Sequence, residues 1–205
     1  MSGRALPRSF FARDSRELAT ELLNKVLVRR VAGEPTLAAR IVEVEAYRGA
    51  DDAGSHAFRG RTPRNATMFG PAGHLYVYFT YGMHWCANVV AGEPGTASAV
   101  LLRAAAPVEG IDVMRARRLK GRPTKLMDRD LLSGPAKLCE AFGITGTLDG
   151  ADLTRRTAAG DLRLLDDGTP PPAVPLVTRR IGLAAGKGDE HPWRFCVPGD
   201  PNLSR

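Results

Sequence analysis

The 205-residue sequence predicts a mixed α/β fold of the α+β kind, a single domain built on a mostly antiparallel sheet. Three observations predict it. Apolar stretches of strand length come in pairs joined by short turns, the pattern of antiparallel neighbours. Helix start and stop signals bracket only a few short segments. No internal repeat and no linker divides residues 1–205. Hydrophobic residues make up 43% and charged residues 25% of the chain, an ordinary globular composition, and the length suffices to bury a core without staples.

Each element has its own signal. The first residues lack the apolar run of a signal peptide. Asp14 or Ser15 caps a helix, with Glu17 in capping-box spacing after Asp14 and Leu18, Leu22 and Leu23 as its apolar stripe. Val26–Arg30 reads as a strand, turned by Ala-Gly-Glu-Pro at 32–35 into a second strand, Leu37–Tyr47. Alternation there sets Val42, Val44 and Ala46 on one face and Ile41, Glu43, Glu45 and Tyr47 on the other. One face is core; the other gathers two carboxylates and a phenol.

Residues 51–73 form a long polar loop bearing His56, Arg59, Arg61, Arg64 and Asn65; long loops in compact domains are usually functional or disordered. Leu75–Thr80 and His84–Val90 read as a hairpin through Tyr81-Gly82-Met83. An aromatic at such a tip gains nothing from burial unless it enters a partner. Asn88 is an amide within an apolar strand, which must find hydrogen bonds or cost about 1–3 kcal/mol. Ser98–Ala106 is a further strand whose Arg103 is either an edge group or aimed into a polar site. Residues 107–118 read as helix, as does Pro135–Phe142, with proline in its first turn and Gly143 as its stop. Short strands near 162–165, 174–183 and 193–197 complete the chain.

Charge and aromatics are both concentrated. Lys and Arg total 29 against 22 Asp and Glu, a formal charge of +7. Seven of the basic residues lie between Arg115 and Arg129 against Asp128 alone, so six of the seven net charges sit there. That segment is either a solvated loop or a contact surface for a polyanion. All four tyrosines fall between Tyr47 and Tyr81. They suggest a pocket in which planar rings such as bases stack; the alternative is an aromatic sheet core. Cys86, Cys139 and Cys196 are an odd number without ligand spacing, which fits buried thiols in a reduced, cytoplasmic compartment. The charge-free stretch 65–92 is broken by Pro71, Gly73, His74, His84 and Asn88 and is no membrane span.

Several chemistries lack their motifs. There is no GxGxxG or P-loop, no GxSxG elbow and no HxE…PCxxC zinc-deaminase pattern. The four histidines are scattered, unlike a zinc site. Glu45 with Glu43 and Tyr47, then His56 and Arg103, can support a metal-free displacement. A carboxylate deprotonates water for attack on a departing, cation-like sugar, and an arginine holds both.

The runs RIVEVEAYRGADDAGSHAFRGRTPRNATMF, LYVYFTYGMHWCANVV and VLLRAAAPVEG, with GPAKLC at 134–139 and RRIGL at 179–183, resemble the alkyladenine (3-methyladenine) DNA glycosylase family over roughly residues 8–200. The resemblance implies a curved antiparallel sheet flanked by helices, in a monomer with no metal or other cofactor. It implies a monofunctional enzyme that flips alkylated and deaminated purines out of double-stranded DNA and hydrolyses the N-glycosidic bond. By matching motifs, Glu45 would be the general base and Arg103 would help hold the water. Tyr47 and Tyr78 would sandwich the flipped base, His56 would meet its edge, Asn88 would line the pocket and Tyr81 would be the wedge in the duplex. Arg59, Arg64, Lys137 and Arg179 are expectations for backbone contacts, with Arg180 and Lys187 as further groove residues. Two other readings stay open: a metal-dependent nuclease using Glu43, Glu45, Asp51, Asp52 and His56, and a damaged-DNA binder without chemistry.

Overall fold

A computed structural model describes residues 3–122, 124–155 and 161–204. Nine strands among them join one antiparallel sheet: β1 (Arg4–Ala5), β2 (Val26–Arg30), β3 (Leu37–Arg48), β4 (Leu75–Thr80), β5 (His84–Ala91), β6 (Ser98–Glu109), β7 (Asp161–Asp166), β8 (Leu176–Thr178) and β9 (Arg194–Cys196). The main path runs β1-β7-β2-β3-β6-β5-β4, and β9 carries β8 on a branch from β3. The helices are α1 (Arg8–Phe11), α2 (Ser15–Leu22), α3 (Ile111–Leu119) and α4 (Pro135–Phe142). The architecture is the mixed, mostly antiparallel one expected, and it is not closed into a barrel.

Helix α2 starts where the sequence placed it, with the Asp14 carboxylate accepting from the Arg16 N–H. Its buried Leu18, Ala19 and Leu22 share one core with Val44, Val100 and Leu102 of the sheet and with Leu138 and Phe142 of α4. Gly143 ends α4 in the left-handed region at φ 64°, as a helix stop requires. No described helix is long and apolar enough to cross a membrane.

Strand β3 departs from simple alternation, and the departure positions the site. Ile41 pairs with Ala105 but Glu43 with Ala104, so Val42 is an extra residue on β3; Val44 then pairs with Leu102, so Arg103 is an extra residue on β6. These paired bulges reverse the phase of both strands at one level. Ile41 therefore packs in the core with Val44 and Ala46 and not on the carboxylate face, which corrects the alternation read from the sequence. At the same level β3 changes partner on its outer edge, from β2 over Leu37–Arg40 to β9 over Glu43–Glu45.

Other boundaries also move. Pro107–Glu109 continue β6 rather than opening a helix, and α3 begins after Gly110, whose φ is 76°. Only Leu176–Thr178 of the 174–183 stretch is strand, and the short β1 and α1 had no periodic signal. The basic segment is largely engaged within the fold. Arg115 pairs with Asp112 and Asp128, Arg117 with Glu34, and Arg118 and Lys120 with Glu140.

Candidate active site

A pocket of about 330 Å³ opens on the face of the sheet opposite the helical core, between β3, the β4–β5 hairpin and the loop after β8. Tyr47, His56, Tyr78, Asn88, Arg103 and Ile181 are among its lining residues. Tyr76 and Tyr78 stack at 5.6 Å between ring centroids, and His56 meets Tyr78 edge-on at 4.4 Å. His56 Nδ1 lies 3.0 Å from the Tyr76 hydroxyl. The loop carrying His56 is fastened by Asn65, whose amide donates to the carbonyls of His56 and Gly60. The Asn88 amide donates to the Tyr76 carbonyl at 3.2 Å, which supplies the partner its burial demands.

Glu45 lies behind this lining with no solvent exposure. Its Oε1 accepts from the Ile181 N–H at 2.7 Å and faces Arg103 Nη1 at 3.3 Å. Its Oε2 accepts from the Tyr47 hydroxyl at 2.9 Å. A carboxylate oxygen has two lone-pair sites, so Oε2 retains accepting capacity beyond its bond from Tyr47. Burial, and then the Glu45 charge, push the Tyr47 phenol well above its ordinary pKa, so it stays a donor. Burial likewise pushes Tyr78 up, and Tyr76 up to about 12. Partial burial and the Arg64 charge hold the His56 imidazole below its ordinary value, so the ring is neutral at pH 7.

A second buried cluster stands behind the pocket wall. Arg180 and Asp52, both without side-chain exposure, form two hydrogen bonds of 2.6 and 2.7 Å. The Arg180 guanidinium also lies between the rings of Tyr47, at 4.5 Å, and Trp193, at 5.0 Å. Arg180 is thus no groove residue, because its charge is consumed inside the fold; Arg179 beside it and Lys187 are exposed. Asp52 and Glu43 have their oxygens taken by arginines and by donors from the chain. Among the described residues no three His, Cys, Asp or Glu side chains gather as ligands. The three cysteines are free and buried.

The remaining expected residues lie around the mouth. Tyr81 stands at the hairpin tip with 82% of its surface exposed and φ 52°, followed by Gly82 at φ 65°; positive φ at both central positions marks a type I′ turn. Arg64 donates to the Phe79 carbonyl at 3.0 Å, and Arg59 is exposed. Lys137 donates to the Ser133 hydroxyl and lines an adjoining cavity that shares Arg103 and Pro135 with the pocket. The sequence reading missed the roles of Ile181, Arg194, Ser204 and the Arg180–Asp52 pair. Their contacts join residues 128 to 161 positions apart, and the only sequence trace was the RRIGL motif.

A sequence profile described as methylpurine-DNA glycosylase matches residues 9–201. A protein of Burkholderia lata is 51% identical over 202 residues, covering 98% of this chain and 92% of its own. One of Streptomyces avermitilis is 49% identical over 200 residues, covering 97% and 90%. One of Carboxydothermus hydrogenoformans is 47% identical over 201 residues, covering 98% of each. All three are named as candidate 3-methyladenine DNA glycosylases. With the match running through nearly every element described above, this chain belongs to the methylpurine-DNA glycosylase family.

Proposed function

We propose that the chain acts as one domain and one monomer, a monofunctional glycosylase that takes damaged purines from duplex DNA and hydrolyses their N-glycosidic bond with water activated by Glu45. It would work without a cofactor, in the reducing compartment where DNA lies. The observation that carries this reading is the placement of Glu45: sealed behind an aromatic pocket, donated to by Tyr47 and Ile181, and faced by Arg103.

In this reading the nucleotide rotates out of the stack and its base enters between Tyr47 and Tyr78 against the edge of His56. Extrusion costs least for damaged or mispaired bases, which adds selectivity before fit is tested. Water held by Glu45 and Arg103 attacks C1′ as the bond to the purine nitrogen breaks. The bonding pair leaves with the base, and the water proton passes to Glu45. A purine cationic through alkylation leaves neutral, whereas hypoxanthine needs a proton from solvent or a pocket group. Asn88 restricts what the floor accepts, and Tyr81 fills the space vacated in the duplex. Arg59, Arg64, Lys137 and Arg179 would meet the phosphates.

The test is single-turnover release of hypoxanthine, and of methylated purines, from a duplex oligonucleotide with EDTA present. Wild-type protein is expected to leave alkali-labile sites only at the lesion. Glu45→Gln should lower that rate by about 10²–10⁴-fold, the usual worth of a general base, while lesion binding persists. Unimpaired turnover by Glu45→Gln would remove the assigned role. Binding without release by the wild type would favour a damage-binding protein.

A further inference from the structure

Glu43 and Glu45 stand two residues apart on β3 and both are fully buried, yet their neighbours differ. Glu45 meets groups that line the pocket. Glu43 meets groups from three other segments, none of them from the pocket's aromatic wall. Its Oε1 accepts from Arg103 Nε at 2.9 Å, from Arg194 Nε at 2.7 Å and from the Ser204 hydroxyl at 2.6 Å; its Oε2 accepts from the Ser204 N–H at 2.6 Å. Arg103 Nη2 adds a bond to the Ser204 hydroxyl at 3.2 Å. One guanidinium is therefore divided: Nε and Nη2 are held on the Glu43 side, and Nη1 alone faces Glu45.

That division is not what an isolated pair would choose. A guanidinium fork matches a carboxylate through two parallel hydrogen bonds, and Glu45 is within reach. On the glycosylase reading above, we propose that Glu43, seated by Arg194 and Ser204, is a positioning residue that keeps Arg103 from closing as a fork onto Glu45, so that the edge shared by Arg103 and Glu45 stays open to the attacking water. The bulge that makes Arg103 an extra residue of β6 aims the side chain to this place, and Glu43 fixes its rotation. Both partners keep their charge. Burial opposes the Glu43 carboxylate, but its bonds from Arg194 and Ser204 and the Arg103 charge prevail and hold its pKa below the ordinary value. Burial likewise opposes the Arg103 cation, and the two glutamates outweigh it.

A residue that acts through another is revealed by a double-mutant cycle. Single-turnover release of hypoxanthine and equilibrium binding of the lesion duplex are measured for wild type, Glu43→Gln, Arg103→Lys, the double variant and Ser204→Ala. Glu43→Gln is expected to slow release about tenfold with lesion affinity within about twofold of wild type, because only an interaction that matters to the chemical step is lost. In the Arg103→Lys background the same change is expected to cost less than about twofold. Ser204→Ala, which removes one hydroxyl, is expected to slow release in the same sense and by less. The proposal is overturned if the Glu43 and Arg103 effects multiply, or if the loss in rate is matched by a loss in affinity. Should Glu43→Gln fail to fold, an unchanged release rate in Ser204→Ala overturns it. A wild type that releases no purine overturns the glycosylase reading itself, an outcome distinct from a releasing wild type whose Glu43 variant keeps pace.

Discussion

At the scale of single residues, burial decides what each charge is for. Arg180 and Arg179 are adjacent in sequence, yet one is enclosed with Asp52 and the other is exposed. Removing one member of a buried pair strands the other's charge, at a cost of about 3–5 kcal/mol. Arg180→Leu is therefore expected to lower the urea unfolding free energy by that amount, and also to slow release, since the guanidinium supports the Tyr47 ring. Tyr81 presents the opposite case, an exposed aromatic held in the left-handed region, a conformation costly for any side chain. Tyr81→Gly is expected to leave stability unchanged or raise it by up to about 1 kcal/mol while weakening retention of lesion DNA. A melting curve and a binding isotherm on the same protein check both signs.

At the scale of elements, the paired bulges in β3 and β6 carry the argument. A sheet strand turns successive side chains to opposite faces, so an extra residue exchanges the faces of everything beyond it. Were Val42 paired like its neighbours, with no bulge, Glu43 and Glu45 would point into the helical core and Val44 and Ala46 toward the pocket. Deletion of Val42 takes out only the extra residue and keeps both faces, so it is expected to preserve cooperative unfolding, as is Val42→Ala, which keeps the bulge and should cost only about 1–3 kcal/mol. Circular dichroism during a urea titration checks both. The α2 cap is a smaller contribution: Asp14→Ala should cost about 1 kcal/mol.

At the scale of the whole molecule, the positive charge divides into two populations. Much of the 115–129 segment is tied to Glu34, Asp112, Asp128 and Glu140, whereas Arg59 and Arg179 are exposed with no ion pair among the described residues. If these two meet phosphates, Arg59→Gln and Arg179→Gln should each reduce the slope of log affinity against log salt by about one. The acids set the pH response. Glu43, Asp14, Glu140, Asp152 and Asp166 all sit below their ordinary carboxylate values, lowered by hydrogen bonds and by facing cations. A carboxyl whose folded pKa is depressed contributes stability above its unfolded value and loses it as pH falls toward the folded one. Unfolding free energy should accordingly fall with a steepening slope below about pH 4.5, the ordinary glutamate value.

The sequence by itself determined the strands around Glu45, the Tyr81 hairpin, both capped helices and the family, because each rests on local signals: period, turn chemistry and unbroken motifs. It also put Glu45, Tyr47, His56, Tyr78, Asn88 and Arg103 forward together, and the tertiary structure brings five of them to line one pocket with Glu45 directly behind. Only the tertiary structure decided that Ile41 is out of phase with the strand beyond it, since nothing in a run of buried residues marks which one a neighbouring strand will leave unpaired. It alone decided that Glu43 and Asp52 are held by arginines, and that Ile181 and Ser204 donate to the two glutamates. Those contacts close loops of well over a hundred residues, and a hydrogen bond across such a span depends on where the whole sheet places its edges.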